Sequence, residues 1–160
     1  MDKISIDRIN KLHPKVRQSA LTCLDTIERT CGFNIRVVQG LRTFGEQSAL
    51  YAQGRTAPGN IVTNAKAGSS YHNYGLALDF CLLHDDKTIS WDRNEDMDHD
   101  KISDWMEVVS VFKKQGWAWG GDFKSIFDAP HFEKTFGNTT SDCLALHNTG
   151  ELDKDGYIII

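Results

Sequence analysis

The chain has 160 residues, of which 40% are hydrophobic and 25% are charged, and its formal net charge at pH 7 is −4. This length fits one domain with an ordinary hydrophobic core and leaves no room for a second domain. The acidic balance and the absence of a basic cluster disfavour nucleic acid as a partner, and no apolar run reaches the ~18 residues of a membrane span. We therefore expect neither nucleic-acid binding nor membrane insertion.

The N-terminus and the cysteines indicate the compartment. The first eight residues, MDKISIDR, lack the apolar stretch of a secretory signal peptide, so we expect synthesis in the cytoplasm. The four cysteines form no C-x-x-C pair, which excludes a zinc ribbon or a dithiol redox motif. Cys23 and Cys31 would lie ~12 Å apart on one helix, beyond disulfide reach, so we expect free, buried thiols.

The first half of the chain predicts a helix, a strand and a second helix. Pro14 suits the first turn of a helix, which Gly32 ends. Residues 35–39 form an apolar, β-branched strand that delivers Arg42 to a strand end, where binding residues are common. Thr43–Ala52 then begins with capping-box spacing, which predicts the second helix.

The middle of the chain predicts a loop followed by a strand. Residues 57–69 are rich in Gly, Pro, Asn, Thr and Ser, as is typical of a loop. Residues 75–83 alternate with period two, so Asp79 points away from the apolar face. That face consists of Leu76, Leu78, Phe80 and Leu82.

The last third predicts one helix and two short strands. Residues 84–100 are acidic and loop-like, and residues 102–116 form a helix. Residues 117–119 and 130–133 alternate as strands, whereas residues 137–160 form either an added edge strand or a partner contact. The predicted buried face of the helix comprises Ile102, Trp105, Met106, Val109 and Phe112.

Two separated motifs together contain the residues of a zinc site. They are SYHNYGLALD at positions 70–79 and DAPHFE at positions 128–133. A catalytic zinc takes three protein ligands from histidine and carboxylate, and His72, Asp79 and His131 supply them. Asp128 lies just before the third ligand, where a free carboxylate would accept a proton from water. Each residue alone has an ordinary explanation as a hydrogen-bonded histidine or a solvated carboxylate, so the joint pattern carries the interpretation.

The pattern S-x-H-x-x-G-x-A-x-D with D-x-P-H-x-E resembles the zinc peptidases of the D-alanyl-D-alanine carboxypeptidase family. Within that family, the chain is most similar to the L-alanyl-D-glutamate endopeptidases used as phage endolysins. The resemblance extends from Leu12 to Phe136. It includes four blocks in matching order: GLRT at 40–43, EQ at 46–47, LYAQGRT at 50–56 and WGGD at 119–122.

The resemblance implies a role for each residue of the site. It implies that zinc is held by His72, Asp79 and His131, that Asp128 is the general base and that Arg42 binds the substrate or its oxyanion. Many relatives carry Glu in place of Asp128, so the shorter side chain changes the reach of the base. The expected substrate-binding residues are Arg42, Arg55, Ser70 and Tyr71. The two arginines have an alternative as surface salt-bridge partners, and Glu133 either orients His131 or is solvated.

The implied fold is an α+β domain, with a small antiparallel sheet flanked by helices and the zinc site on the sheet face, as in D,D-peptidases and hedgehog-like domains. Residues 1–136 would form the catalytic domain, and residues 137–160 an extension packed on it. The implied function is zinc-dependent cleavage of the L-Ala–D-Glu bond in the peptidoglycan stem peptide. We expect a monomeric phage or prophage endolysin that a separate lysis system releases to the wall. The alternatives are a D-alanyl-D-alanine carboxypeptidase and a non-catalytic wall-binding module.

The acidic loop at residues 92–100 is a candidate calcium site. Oxygen-bearing side chains recur at every second residue from Asp92, much as in an EF-hand loop. In that register, however, Met97 stands where an EF-hand has glycine, and Ser103 stands where it has the bidentate glutamate. A solvated acidic loop is therefore the favoured interpretation. Calcium bound there would order the cleft and make activity calcium-dependent.

Overall fold

Helices flank one antiparallel sheet in the computed structural model, which describes all 160 residues. The helices are α1 Lys3–Ile9, α2 Pro14–Thr30, α3 Phe44–Ala52, α4 Asp104–Lys114 and α5 Thr140–Thr149. The strands are β1 Asn34–Gln39, β2 Ala77–Leu83, β3 Ile89–Ser90, β4 Ala118–Trp119 and β5 His131–Glu133. Two 3₁₀ turns cover Tyr71–Tyr74 and Gly120–Asp122. This architecture confirms the predicted α+β class with a small antiparallel sheet flanked by helices.

The sheet has the order β1-β2-β5-β4, and the short β3 also pairs with β2. All of its pairings are antiparallel. Asp79 of β2 lies directly opposite His131 of β5. Side chains at directly opposed positions project to the same face of a sheet. The register therefore brings together two candidate ligands that are 52 residues apart in sequence.

The ends of the predicted helices follow local sequence rules. Pro14 occupies the first turn of α2, where its missing N–H costs nothing. At α3, the Thr43 side chain accepts from the Glu46 backbone N–H, and the Glu46 carboxylate accepts from the Thr43 N–H. This reciprocal pair confirms the predicted capping box, and it fixes the helix start immediately after Arg42.

The core contains the apolar face of β2 and stacked aromatic rings. Phe112 stacks on Phe132 at 4.3 Å between ring centroids, and Phe80 packs against Trp105 at 4.4 Å. All four rings are almost completely buried, and the predicted β2 face is buried with them. The four cysteines are free and buried, as expected. Burial of this apolar surface is the main contribution to stability.

Two residues predicted to be buried are exposed. Met106 is 46% exposed and Ile102 is 53% exposed. The reason is that α4 begins only at Asp104, so Ile102 precedes the helix and the buried stripe passes through Val108 instead of Met106. The predicted core assignment of these two residues is therefore wrong.

The two chain ends contain elements that the sequence did not predict. Helix α1 precedes the predicted first helix, and α5 lies in the tail. After α5 the tail makes a single β-bridge between Leu152 and Ile158 and does not add an edge strand to the sheet. The Ile158 carbonyl lies 2.8 Å from His13 Nε2, which ties the tail to the start of α2. None of the five helices combines the length and apolar character that a membrane crossing requires.

Candidate metal centre and cleft

The three predicted ligands converge on one point beside the sheet. Asp79 Oδ1 lies 3.3 Å from His72 Nε2 and 3.1 Å from His131 Nδ1. Zinc–nitrogen distances of ~2.0–2.1 Å in a tetrahedral site put neighbouring ligand atoms ~3.3 Å apart. The spacing and the donor set of two imidazoles and one carboxylate therefore fit zinc. These three residues also form one of the groups in the chain able to hold a metal.

The outer nitrogen of each histidine has a partner of its own. His72 Nδ1 lies 2.9 Å from the Gly40 carbonyl oxygen, to which it can only donate. His131 Nε2 lies 3.0 Å from Glu133 Oε2. A proton held on the outer nitrogen leaves a lone pair on the inner nitrogen, and such partners also fix the orientation of the ring. Glu133 therefore contacts His131 and is not merely solvated.

The charges of the site depend on one another. Burial alone would raise the pKa of Asp79, but hydrogen bonds from His131 and His72 outweigh it and hold the pKa well below its usual value. Burial alone would lower the pKa of His131, but the hydrogen bonds to Asp79 and Glu133 raise it to about 9. Without a metal, His131 is therefore a cation between two carboxylates at neutral pH.

This charge state predicts how zinc uptake depends on pH. Zinc must displace the proton of His131 at any pH below about 9, so the apparent affinity should fall as pH falls. One displaced proton corresponds to about tenfold per pH unit. The measurement is competition with a zinc chelator of known protonation behaviour between about pH 6 and pH 8. An affinity that does not change over this range would contradict the assignment of His131 as a ligand.

A cleft of about 400 Å³ opens over the three ligands. Asp128 is exposed at the rim of the cleft, where its backbone N–H donates to the Gly120 carbonyl at 3.1 Å. Desolvation of the Asp128 carboxyl group raises its pKa, which makes it a stronger base than a freely solvated aspartate. Gly120 packs so closely on Asp128 that a side chain at position 120 would displace Asp128. The cleft is lined by Arg42, Leu50, Val62, Thr63, Ser70, His72, Asp79, Asp128 and His131.

Arg42 is held from two sides. Its backbone N–H donates to the His72 carbonyl at 2.9 Å, and its Nη1 donates to Gln47 Oε1 at 2.9 Å. Gln47 is completely buried and donates in turn to the Ala65 carbonyl at 2.7 Å. Arg42 Nε is buried and has no partner. The sequence placed Arg42 in the site, whereas Gln47 stood out only as part of a block shared with the resembled family and was given no role in the site.

Replacing Arg42 by lysine should raise the free energy of the transition state by about 1–3 kcal/mol and so lower kcat/KM, because a point charge cannot reproduce the bidentate fork of a guanidinium. The exposed Arg29, which pairs with Asp25 on α2, gives a matched control, and Arg29→Lys should leave the rate unchanged. Steady-state kinetics on a soluble wall fragment measures both variants. Equal kinetics for Arg42→Lys and the wild type would place Arg42 outside the reaction.

Of the three other predicted substrate-binding residues, only one lines the cleft. Ser70 lines the cleft beside His72. Arg55 donates to the Tyr51 and Thr63 carbonyls and braces the loop before the site without lining the cleft. Tyr71 points the other way, since its hydroxyl donates to the Asn138 carbonyl at 2.9 Å. Substrate contacts by these three residues stay predictions.

The chain is similar to known proteins across most of its length. Residues 63–134 match a family model described as D-alanyl-D-alanine carboxypeptidase, of peptidase family M15. The chain is 48% identical over 122 residues to the peptidoglycan L-alanyl-D-glutamate endopeptidase CwlK of Bacillus subtilis (strain 168), covering 76% of this chain and 72% of that protein. It is 28% identical over 139 residues to the L-alanyl-D-glutamate peptidase of Listeria phage A118, covering 85% of this chain but only 43% of the phage protein.

A solved structure supports the same fold. The crystal structure of the L-Ala D-Glu endopeptidase ChiX from Serratia marcescens matches with a TM-score of 0.55 at 19% sequence identity, over 85% of this chain and 90% of that one. The family model covers the segment that carries all three candidate ligands and Asp128. Together with the 48% identity, these matches show that the chain belongs to the D-alanyl-D-alanine carboxypeptidase (M15) family of metallopeptidases.

Proposed function

We propose that this protein is a peptidoglycan endopeptidase that hydrolyses the L-Ala–D-Glu bond of the stem peptide with the help of one zinc ion. The observation that carries the proposal is the convergence of three ligands at tetrahedral spacing in the same cleft as Asp128 and Arg42. The bond is inferred from the relatives, because the Bacillus and the Listeria phage proteins are both named for L-alanyl-D-glutamate cleavage.

His72, Asp79 and His131 would hold the zinc ion. Two imidazoles and a carboxylate favour zinc over magnesium, which prefers oxygen ligands and retains its water. A zinc ion held there would supply Lewis-acid polarisation of the peptide carbonyl and would lower the pKa of a water molecule. The Gly40 carbonyl and the Glu133 carboxylate orient the two histidine rings for this purpose.

Asp128 would move the proton. It borders the cleft without belonging to the ligand group, so its carboxylate is free to accept a proton from the attacking water and return it to the departing amine. The close packing of Gly120 fixes the backbone that carries it.

Arg42 would stabilise the negative charge that develops on the peptide oxygen. Its guanidinium is half-buried, and desolvation lowers the pKa of Arg42 while leaving it a cation at neutral pH. Gln47 accepts a hydrogen bond from one donor of the fork and so holds the guanidinium in place. A donor held in place before the substrate arrives needs little reorganisation during the reaction. We also propose a substrate contact for Ser70, while for Arg55 and Tyr71 the support is confined to the resemblance.

A D-alanyl-D-alanine carboxypeptidase remains the second candidate, because that activity is the description of the matching family model. It would use the same metal and the same base but would recognise the free carboxylate of the terminal D-Ala. A non-catalytic wall-binding module fits less well, since such a module has no need of a base beside an open metal position.

Mass analysis of muropeptides after incubation with the zinc-loaded protein separates the three functions. The endopeptidase should release stem peptides that begin at D-Glu and leave L-Ala attached to the glycan. Release of D-Ala alone would assign the carboxypeptidase instead. Unchanged muropeptides would leave a binding module and contradict both enzymatic functions.

The biological setting is part of the proposal. We propose a monomer that is made in the cytoplasm and reaches the cell wall after release, as a phage or prophage endolysin does. Residues 1–136 would form the catalytic unit and residues 137–160 an extension packed on it, supported by the contact between Ile158 and His13. Light scattering of the purified protein and lysis of cells from outside and from within would test this setting.

A further inference from the structure

Five carboxylates gather in a twelve-residue segment, Asp96–Glu107, that leads into α4. They stand at positions one, three, five, nine and twelve of the segment: Asp96, Asp98, Asp100, Asp104 and Glu107. One group of side-chain oxygens, from Asp96, Asp98 and Asp104, lies within 4.8 Å of one another, and so does a second, from Asp98, Asp100 and Glu107. Asp98 belongs to both groups, so the five carboxylates form one cluster.

This spacing is that of an EF-hand calcium loop. Such a loop takes its ligands from positions one, three, five, seven, nine and twelve, with a backbone carbonyl at seven and glutamate at twelve. Position six is normally glycine because of a sharp turn, and here Lys101 occupies it with φ 75°, in the left-handed region that glycine favours. The carbonyl of Ile102, at position seven, accepts no backbone hydrogen bond.

The structure therefore corrects the register predicted for the acidic loop. The sequence pattern started the loop at Asp92, which put Met97 at the glycine position and Ser103 at the glutamate position. In the structure the cluster starts four residues later, at Asp96. Lys101 then makes the sharp turn, and Glu107 takes the final position within the first turns of α4.

Unpartnered buried oxygens point independently to a cation. Only four buried side-chain polar atoms in the chain lack a hydrogen-bond partner, and they include Asp104 Oδ1 and Glu107 Oε2. Asp104 is completely buried, and only its other oxygen is satisfied, by the Met97 backbone N–H at 2.9 Å. A third unpartnered oxygen belongs to Glu95, next to the cluster. A buried carboxylate oxygen without a partner is costly, and it is normally paired or coordinated to a metal.

No basic side chain neutralises the cluster, since none of the five carboxylates takes part in an ion pair. Backbone N–H groups hold the carboxylates together instead. Asp96 accepts from the N–H groups of Asp100 and Lys101 at 3.1 and 3.0 Å, and Asp98 accepts from Asp100 at 3.2 Å. Like charges held this closely repel one another, and a bound cation relieves the repulsion.

We propose that Asp96–Glu107 binds one calcium ion, separately from the zinc site. The ligands would be the carboxylates of Asp96, Asp98, Asp100, Asp104 and Glu107, together with the carbonyl of Ile102. Calcium accepts six to eight oxygen ligands at 2.3–2.6 Å, so oxygens on opposite sides of it lie ~5 Å apart, and the oxygens within each group of the cluster lie no farther apart than 4.8 Å. Magnesium demands a smaller octahedron and retains water, so a site with this many carboxylates favours calcium.

The position of the cluster gives calcium a structural effect near the cleft. Trp105 follows the buried Asp104, packs against Phe80 of β2, and donates through Nε1 to the Ala129 carbonyl at 3.3 Å. Ala129 directly follows Asp128. A cation that fixes the start of α4 therefore also fixes the packing beneath the segment that carries Asp128.

Isothermal titration of the zinc-loaded full-length protein with calcium chloride tests the proposal, because the occupied zinc site cannot take the added ion. We expect one calcium per chain and a higher Tm in its presence. Asp98→Asn, in an exposed residue shared by both oxygen groups, should weaken binding at least about tenfold and remove the shift in Tm. Asp92→Asn, the same change in the same loop but outside the cluster, should bind like the wild type.

Terbium provides a second readout that does not depend on heat. Its emission, sensitised by the adjacent Trp105, should appear with wild type and Asp92→Asn, and calcium should displace it. Absence of both binding heat and terbium emission in the wild type would overturn the proposal, as would equal calcium affinity in Asp98→Asn and Asp92→Asn. Tighter binding of magnesium than of calcium would contradict the assignment of the ion. None of these results depends on peptidase activity, so the outcome is separate from that of the proposed function.

Discussion

His72→Ala, Asp79→Ala and His131→Ala should each lose bound zinc and, with it, all detectable hydrolysis. Each variant removes one of the three ligand atoms, of which His72 Nε2 and His131 Nδ1 lie 3.3 and 3.1 Å from Asp79 Oδ1. Two remaining ligands do not hold a tetrahedral zinc. The loss of zinc affinity should therefore exceed the about 10–100-fold loss that is typical when a residue hydrogen-bonded to a ligand is changed. Elemental analysis after dialysis measures the zinc content.

His84→Ala is the matched control for the ligand variants. His84 also lies against a carboxylate, Glu95, at 2.7 Å, but it lies outside the site. The His84→Ala variant should retain about one zinc per chain. The zinc content of Glu133→Gln should lie between that of this control and that of the ligand variants, because this change removes only the hydrogen-bond partner of His131. Circular dichroism checks that the variants are folded. Stoichiometric zinc in all three ligand variants would rule out this metal site.

Asp128→Asn should keep both zinc and the fold but lose on the order of 10²–10⁴-fold in kcat, because only proton transfer is removed. The amide is nearly the same size as the carboxylate and cannot act as a base at neutral pH. Asp128→Glu should recover part of the activity, since it restores a base with a longer reach. Kinetics on a soluble wall fragment, together with zinc analysis, measures these effects.

Asp122→Asn is the control for this second prediction. Asp122 is an exposed aspartate of the same segment that pairs with Lys113 at 2.7 Å on the outside of the protein. A surface pair of this kind contributes little, so its loss should leave kcat unchanged. Wild-type turnover by Asp128→Asn would exclude Asp128 as the base.

Those features of the site that depend on short stretches of sequence could be predicted. The period-two pattern of β2 places Asp79 opposite to the apolar residues, and the threonine–glutamate spacing predicts the start of α3. Both depend on steric and hydrogen-bonding rules that act over a few residues. The ligand set itself came from the joint pattern of two motifs and from the resemblance they carry.

Features that depend on distant contacts could not be predicted in this way. The pairing of β2 with β5 sets Asp79 opposite His131, and the Gly40 carbonyl orients His72 across 32 residues. Gln47 became recognisable as the support of Arg42 only once α3 was packed against the loop that contains Ala65. No local periodicity encodes these contacts, because tertiary packing decides them.

The acidic loop shows how one misplaced boundary changes an interpretation. A helix predicted from Ile102 puts Met106 in the core and leaves Asp104 inside a helix, away from any loop site. The structure begins α4 at Asp104 and turns the chain at Lys101 through a positive φ, which a sequence without glycine does not announce. With that boundary in place, the acidic residues fall into a single register that starts at Asp96.

The proposed function requires that this protein use its zinc site to cut the stem peptide between L-Ala and D-Glu. End-group labelling of purified peptidoglycan tests it most directly, by comparing the zinc-reconstituted wild type with the zinc-loaded Asp128→Asn variant. New amino termini of glutamate should accumulate with the wild type alone and should stop accumulating when the zinc is removed. Glutamate amino termini that form equally fast with Asp128→Asn or without zinc, or new termini of any other residue, would contradict it.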